Sequence, residues 1–431
     1  MAGRVIVIGG GAAGALSALA ARRKGAEVTL VRRALGATSV SSGAFDFAAG
    51  VDQEGRRLAM PRAAQVIARE HPRHPYACLG SSLADALSRA RALLVEELAA
   101  LGVRGADNDS RNLELVTPLG AMKEAALAQG SIARGDLASW PSDARIGVVG
   151  IVGHAATDPS LVTNGLRAGG RDAVEVYVKL ELDPQSALAD LARLLDGPTK
   201  DAVLTRIALA AKEVGATHVL LPTAGFDHPD AVCDALCAMN FSAAAELMNT
   251  PPSIAGLRLD RALNDRLMEA GVTVVIGDVK STSANAGRID KLLLDDRELS
   301  ADAFVLATGR FLGGGIVHQE RFREPVFGLP VFVDGRDVGD MWTGDLLDKH
   351  AANDQPAMRA GVQVDARMRP VDDGQRAVYD NLFAAGAVIG GYEAARDATG
   401  LGVAAVTALV AGEAAATKTS LSRATTGSSE R

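Results

Sequence analysis

Residues 5–8, Val5-Ile6-Val7-Ile8, run into Gly9-Gly10-Gly11-Ala12-Ala13-Gly14, then an alanine-rich stretch and a second apolar run at 28–31. A short apolar run, a glycine-rich turn and a helix that returns to another apolar run predict a βαβ unit with parallel strands. In such a unit Gly9 makes the tight turn, Gly11 lets the backbone approach a pyrophosphate, and Gly14 lets helix and strand pack closely. Ala12 and Ala13 then open a helix whose free N–H groups and positive dipole end suit phosphates. The competing reading is a tight strand-to-helix turn with no ligand. The strand, turn, helix, strand context favours dinucleotide binding.

An acidic residue that accepts ribose hydroxyls commonly ends the second strand of this unit. Here Val31 is followed by Arg32 and Arg33. Either these are cationic partners for a phosphate, or they are solvated arginines flanking a strand end. The first reading covers a dinucleotide with an extra phosphate, and a flavin whose adenosine half is held differently or is absent.

With 431 residues, 46 of them glycine, and a net charge of −7, the chain reads as an α/β protein of two or three packed units. That charge gives no electrostatic footprint for nucleic acid, and 4% aromatic residues is too few for a base-stacking platform. No uninterrupted apolar run reaches the roughly 18 residues that span a bilayer. Because the first strand begins at once, no signal peptide is expected. The expectation is a cytoplasmic protein with no direct membrane span. Cys78, Cys233 and Cys237 suit a reducing compartment. Cys233 and Cys237 would share one helix face, as small buried hydrophobes or as a redox or metal pair. Three cysteines are too few for a four-cysteine iron–sulfur cluster, and no metal site is assigned.

Further along, Ser41-Ser42-Gly43 lies in a Ser/Gly loop over 38–47, and helices are expected at 61–68 and 82–101. Buried strands follow at 146–152, 173–179 and 217–221, separated by amphipathic helices; this block reads as an inserted α/β unit. Its Gly150 and Gly153 do not make a nucleotide fingerprint, because Asp158 and Pro159 interrupt the helix that should follow. Next come a helix at 257–270, a strand at 272–276, and a hairpin at 288–294 and 298–301 that feeds a strand at 303–307. That strand ends in Ala307-Thr308-Gly309-Arg310, ahead of Gly313-Gly314-Gly315. A short strand near Asn381 stops at Gly386, and Thr399-Gly400-Leu401-Gly402 precedes a helix from 403 to about 417.

The ordered set of N-terminal glycine fingerprint, Ala-Thr-Gly after a hairpin, and Asn-Leu-Phe-Ala-Ala-Gly before a final helix resembles the two-dinucleotide-binding-domain flavoproteins, the superfamily of fumarate reductase and glutathione reductase. More specifically, several strings resemble the family of the B subunit of anaerobic glycerol-3-phosphate dehydrogenase. These are Ser41-Ser42-Gly43 with Asp46, His74-Pro75-Tyr76 with Leu79-Gly80, and Val116-Thr117-Pro118-Leu119-Gly120. Pro251-Pro252-Ser253 with Gly256-Leu257-Arg258-Leu259, Arg323-Glu324-Pro325 with Gly328-Leu329, and the block from Asn381 to Gly391 complete the set, spread over nearly the whole chain. The loop before the last helix departs from the family, which is richer there in glycine and cysteine, so a thiol role at that loop is excluded.

The resemblance implies a discontinuous Rossmann-like FAD-binding domain over 1–50, 251–317 and 363–418. An α/β or α+β domain would be inserted at 51–250, with a cap or interface segment at 318–362 and a flexible tail at 419–431. It implies FAD as cofactor, with FMN as the alternative, held by the N-terminal loop, Arg32, Arg33, Ser41, Ser42, Gly43, Thr308, Gly309, Gly386, Gly400, Leu401 and Gly402. The positive end of the last helix would stabilise reduced flavin. It also implies oxidation of sn-glycerol 3-phosphate to dihydroxyacetone phosphate. Electrons would pass to quinone through a catalytic flavoprotein subunit and an iron–sulfur membrane-anchoring subunit, so that the chain sits at the inner membrane through a partner. Removing hydride from a secondary alcohol calls for a base, and a phosphate calls for cations. His318 is the candidate base, and Arg310, Arg321, Arg323 and Arg396 are candidate anion clamps, each against the plainer reading of a surface charge. Two other readings stay open: an electron-relay or assembly subunit with no substrate site of its own, and a stand-alone fumarate-reductase-like dehydrogenase of another small acid.

Overall fold

The computed structural model describes residues 2–426 apart from 53, 108–109, 184–187 and 320. In chain order its principal strands are β1 (Arg4–Ile8), β2 (Glu27–Arg32), β3 (Ile146–Ile151), β4 (Ala173–Val178) and β5 (His218–Leu221). They are followed by β6 (Ala243–Glu246), β7 (Thr273–Ile276), β8 (Ala303–Leu306) and β9 (Leu382–Ala384). Two parallel sheets result, in the orders β7-β2-β1-β8-β9 and β4-β3-β5-β6. The fold is therefore α/β.

The chain divides into two compact units. The first holds Met1–Ala37, Pro61–Glu97 and Leu263–Arg431; the second holds Thr38–Met60 and Leu98–Ala262. Gly11, Gly309 and Gly386 all fall in the first. Residues 61–97 and 318–362, expected outside the flavin domain, also fall in it, whereas 38–50 and 251–262 belong to the second.

In the first unit, α1 (Ala12–Arg23) follows β1 and buries its first ten residues. Alanine suits both its helix propensity and its place between a sheet and another helix. The covering helix is the C-terminal one, Gly400–Thr426. A Cβ on Gly412 would stand 2.4 Å from the Ser17 carbonyl oxygen, so the two backbones touch where a side chain is absent. This helix begins at Gly400, so Gly400, Leu401 and Gly402 are its first turn and not a loop before it. It also runs to Thr426, so residues 419–426 of the expected tail are helical, and 427–431 lie outside the described residues. Its stretch Gly400–Lys418 is long and apolar enough to cross a bilayer, contrary to the expectation that none is, yet 67% of that window is buried within the protein. Alanine, glycine and threonine make up the length that a search for large apolar residues overlooks.

Asn381 fastens β9 to a three-stranded antiparallel sheet of Ser281–Asn285, Arg288–Leu293 and Glu298–Ser300. Its side chain accepts from the Ile289 N–H (2.9 Å) and donates to the Ile289 and Asp302 carbonyls (2.9 and 3.2 Å).

The second unit is a parallel sheet covered by helices, with one apolar core on Val149, Val176, Val219 and Leu204 and another on Trp140, Val148, Leu166 and Leu220. Cys233 is buried in the first of these, and burial pushes its thiol far up, which is the behaviour of a small hydrophobe. At the end of β6, Arg258 donates to Glu246 Oε2 at 2.5 Å, both side chains being almost fully buried. Ser131 Oγ donates to the same oxygen at 2.7 Å.

Gly412→Ala tests the helix contact. Alanine gains up to about 1 kcal/mol of helix propensity, but a Cβ that must displace a carbonyl oxygen costs about 1–3 kcal/mol. A net loss of stability is expected, read as a lower midpoint in urea unfolding; an unchanged or raised midpoint would show that the helices do not meet there.

Candidate functional site

The N-terminal turn is built from backbone contacts. Gly9 adopts φ +120°, and a Cβ on it would stand 2.1 Å from the Ala307 carbonyl oxygen. A Cβ on Gly14 would stand 1.9 Å from the Gly9 carbonyl oxygen. Strand β8, the turn and α1 are thus locked at distances only glycine allows. Gly11 is the N-cap of α1 in an extended conformation, and no side chain caps this end. The helix therefore presents its first-turn N–H groups and dipole to whatever occupies the turn.

Two further segments meet this cradle. Gly386, at φ +73°, would place a Cβ 2.5 Å from the Ala13 Cβ; its N–H is bonded to Thr407 Oγ1 at 2.8 Å. Thr308 and Gly309 follow β8 directly, with Gly309 at φ +76°, and the 313–315 glycines fold back so that a Cβ on Gly315 would meet Thr308 Oγ1 at 2.5 Å. Thr308 Oγ1 is buried without a hydrogen-bond partner. So is the hydroxyl of Thr399, which precedes the Gly400–Gly402 turn and, though placed like a capping residue, caps nothing.

Arg32 lies across the turn: a Cβ on Gly10 would come within 2.6 Å of its Cδ, and its Nη1 donates to Asn264 Oδ1 at 2.6 Å. Arg33 is exposed, with Nη2 3.2 Å from the position a Gly314 Cβ would take. Neither has a carboxylate partner among the described residues.

Ser41, Ser42 and Gly43 belong to the second unit. There Ser253 Oγ donates to the Ser41 carbonyl at 2.5 Å, and the Asn249 N–H to the Ser42 carbonyl at 3.0 Å. Gly43, at φ +84°, sits where a Cβ would strike Ile132 and Ala255. Ser41 Oγ is buried and unpartnered. Asp46 pairs with Lys123 Nζ at 2.5 Å, while burial raises its pKa.

The expected catalytic group does not converge. Arg310 commits its guanidinium to the carbonyls of Ala387 (3.2 Å), Tyr392 (3.2 Å) and Ile389 (3.1 Å) and stacks on the Tyr392 ring at 5.0 Å. It is a clamp on the 386–392 loop, and burial lowers its pKa. His318 and Arg323 sit on an exposed two-stranded hairpin, where His318 leans on Phe322 and Arg323 donates to Gln319 at 2.9 Å. Arg321 pairs with Asp340 and Arg396 with Asp354.

Two buried titratable groups carried no functional assignment from sequence. His74 packs between Tyr76 and Tyr392, its Nδ1 accepting from the Tyr76 N–H at 3.1 Å and its Nε2 buried without a partner. Burial, helped by His71, holds its pKa down at about 3. Burial pushes the Glu324 carboxyl up to about 7, although it accepts from the Val326 and Phe327 N–H groups at 2.8 Å. Both lie in strings already singled out, but burial is a property of the fold.

A glycine cradle at an uncapped helix end, a close-packed parallel βαβ unit and the orphaned Thr308 hydroxyl beside it fit a dinucleotide, and define the FAD-binding class of flavoproteins. The family model described as FAD binding domain matches residues 4–403. The B subunit of anaerobic glycerol-3-phosphate dehydrogenase from Pectobacterium atrosepticum is 31% identical over 422 residues, covering 94% of this chain and 96% of that protein. The protein of the same name from Actinobacillus pleuropneumoniae serotype 5b is 29% identical over 429 residues, 95% of this chain and 98% of that one. Among solved structures, the open conformation of a flavocytochrome c3 fumarate reductase matches 97% of this chain and 78% of its own, at 12% identity and a TM-score of 0.42. The chain belongs to the FAD-binding-domain family and, within it, to the family of the anaerobic glycerol-3-phosphate dehydrogenase B subunits.

Gly11→Val should leave the protein folded, since Gly11 has φ −78°, but should abolish flavin retention, because a branched side chain would fill the approach to phosphate. Full flavin content in a folded variant would remove this loop from the site.

His74 gives a pH dependence. Its folded pKa lies below the unfolded value of 6.5, so the stabilising contribution of the neutral ring is complete above pH 6.5 and is lost as pH falls toward 3. Acid unfolding should steepen by up to about 1.4 kcal/mol per pH unit in that window. In His74→Asn, whose side-chain oxygen can still accept from the Tyr76 N–H, this slope should flatten in urea titrations between pH 6.5 and 4.5; an unchanged slope would place the acid sensitivity elsewhere.

Proposed function

We propose that this chain is the flavin-bearing B subunit of an anaerobic glycerol-3-phosphate dehydrogenase, which oxidises sn-glycerol 3-phosphate to dihydroxyacetone phosphate. The observation that carries this reading is the nucleotide cradle of Gly9, Gly11 and Gly14 inside a chain colinear with relatives of that name over 94–95% of its length. FAD bound there would supply a two-electron acceptor. In this reading Gly11, Ala12, Ala13 and Gly14 receive the pyrophosphate on backbone N–H groups, with Arg32 and Arg33 as neighbouring cations. Thr308 and Gly309, Gly386 and the first turn Gly400-Leu401-Gly402 line the remainder. The electrons leave to quinone through a catalytic flavoprotein subunit and an iron–sulfur membrane-anchoring subunit, and the chain works in the cytoplasm at the inner membrane through those partners.

One observation favours the second reading, a relay or assembly subunit without a substrate site of its own. Arg310 is satisfied by three carbonyls, while His318 and Arg323 stand on an exposed hairpin. No base and cation meet among the expected residues.

Anaerobic titration of the purified yellow protein separates the two. Bleaching by sn-glycerol 3-phosphate in the isolated chain is the expected outcome for an enzyme with its own site. Bleaching only after the partner subunits are added would assign the chemistry to a partner and leave this chain as the relay. A colourless protein that takes up no FAD would sink the enzyme and the flavin relay alike, and would leave only a flavin-free assembly role.

A further inference from the structure

A cavity of about 100 Å³ opens in the first unit, on residues that share nothing with the nucleotide cradle. Arg73, Cys78, Asp334, Gln363, Gln375 and Gly390 are among its lining. A single water needs roughly 10–15 Å³ of such space, so the cavity has room for a small molecule. Its charge is unusual. The Asp334 carboxylate is taken by Arg359, which donates through Nε at 2.9 Å and Nη2 at 2.8 Å. Arg73 lines the same cavity and has no hydrogen-bond or ion-pair partner among the described residues. Arg73 is exposed, and its guanidinium lies directly over Gly335, where a Cβ would fall 1.8 Å from its Cζ; its backbone carbonyl lies against Gly391, where a Cβ would fall 2.1 Å from the oxygen. Two glycines at positive φ, +80° and +86°, leave space, one for its guanidinium and the other for its backbone.

The other polar groups face the same way chemically. Gln375, strained at φ +60°, donates to Gln363 Oε1 at 3.0 Å. That bond leaves the Gln363 amide hydrogens to donate and the Gln375 carbonyl oxygen to accept, the pair of functions a hydroxyl group needs. Phe332, Val362 and Val364 supply apolar wall, and the Cys78 thiol, half-buried, donates to the Val364 carbonyl at 3.5 Å. A guanidinium prefers a planar or multidentate oxyanion, carboxylate or phosphate, over a single point charge.

We infer that this cavity binds a small polyol phosphate, its phosphate on Arg73 and its hydroxyls on Gln363 and Gln375. The choice of a phosphate ester over a carboxylate rests on the functional reading above; the cation, the amides and the cavity do not. The site supplies recognition and no proton transfer: none of its free groups is a base.

Cys78 reports occupancy without any turnover. In oxidised flavin-loaded protein carrying Cys237→Ser, with Cys233 buried, N-ethylmaleimide at mildly alkaline pH should label Cys78. At a concentration about ten times its dissociation constant, sn-glycerol 3-phosphate should slow that labelling about tenfold. Inorganic phosphate should protect less at the same concentration, and glycerol not at all. Arg73→Gln should abolish the protection, and Arg73→Lys, which keeps the charge but loses the fork, should retain part of it. A rate no slower with glycerol 3-phosphate than with glycerol at matched ionic strength would overturn the site, as would equal protection in Arg73→Gln. Flavin reduction is scored in the same samples with partners present. Reduction without protection overturns the site and spares the functional reading; protection without reduction supports the site and overturns that reading.

Discussion

Backbone touching backbone at Gly9, Gly14 and Ala307 is the contact on which the first unit is organised. Any side chain at Gly9 or Gly14 would intrude on a carbonyl oxygen at about the length of a covalent bond plus a fraction, 2.1 and 1.9 Å. The helix therefore sits as close to the parallel sheet as a helix can, and its N-terminal N–H groups arrive at the C-terminal edge of β1 and β8 without a capping side chain between them and a ligand. The same economy of volume recurs where Gly386 meets Ala13 and where Gly412 meets Ser17. Small residues at those points let three segments, distant in sequence, pack against one helix.

This constraint explains which parts of the chain could be read without a structure. Gly9, Gly11 and Gly14 announce themselves because turn conformation, close approach and helix packing each demand glycine at a fixed offset, and the flanking apolar runs leave one arrangement for them. The strand β6, Ala243–Glu246, gives no such signal. Alanine is a poor strand former by propensity, and it forms one here because its neighbour β5 presents an edge to pair with. The strand Ser281–Asn285 is hidden for the opposite reason, being short, polar and partly exposed.

The catalytic group fails to assemble for a different physical reason. Charge and position in a motif mark Arg310 as an anion clamp, but its fate depends on carbonyl groups of the 387–392 loop, whose direction is a property of the folded backbone. Three of them satisfy a partly buried guanidinium whose desolvation would otherwise go uncompensated. Arg73 shows the converse. Nothing in its local sequence sets it apart from other exposed arginines; the room for its guanidinium comes from Gly335, hundreds of residues away, and the Asp334 carboxylate of the same cavity is already paired with Arg359. A charged residue's role follows from what its neighbours have already taken.

In the second unit the ordering device is ionic instead. Glu246 ends β6 and meets Arg258 of the helix Ile254–Glu269 in near-complete burial, with Ser131 on the same oxygen and the Gly225 carbonyl on the other arm of Arg258. Such a pair adds little net stability, because desolvation offsets most of its attraction, but it tolerates few alternative arrangements. The segment between its two members carries Asn249 and Ser253, the residues that hold the Ser41 and Ser42 carbonyls. Fixing both ends of that segment fixes the positions of those donors, and through them the Ser41-Ser42-Gly43 turn. A loop with no regular secondary structure of its own thus takes its shape from a buried charge pair roughly two hundred residues further along the chain.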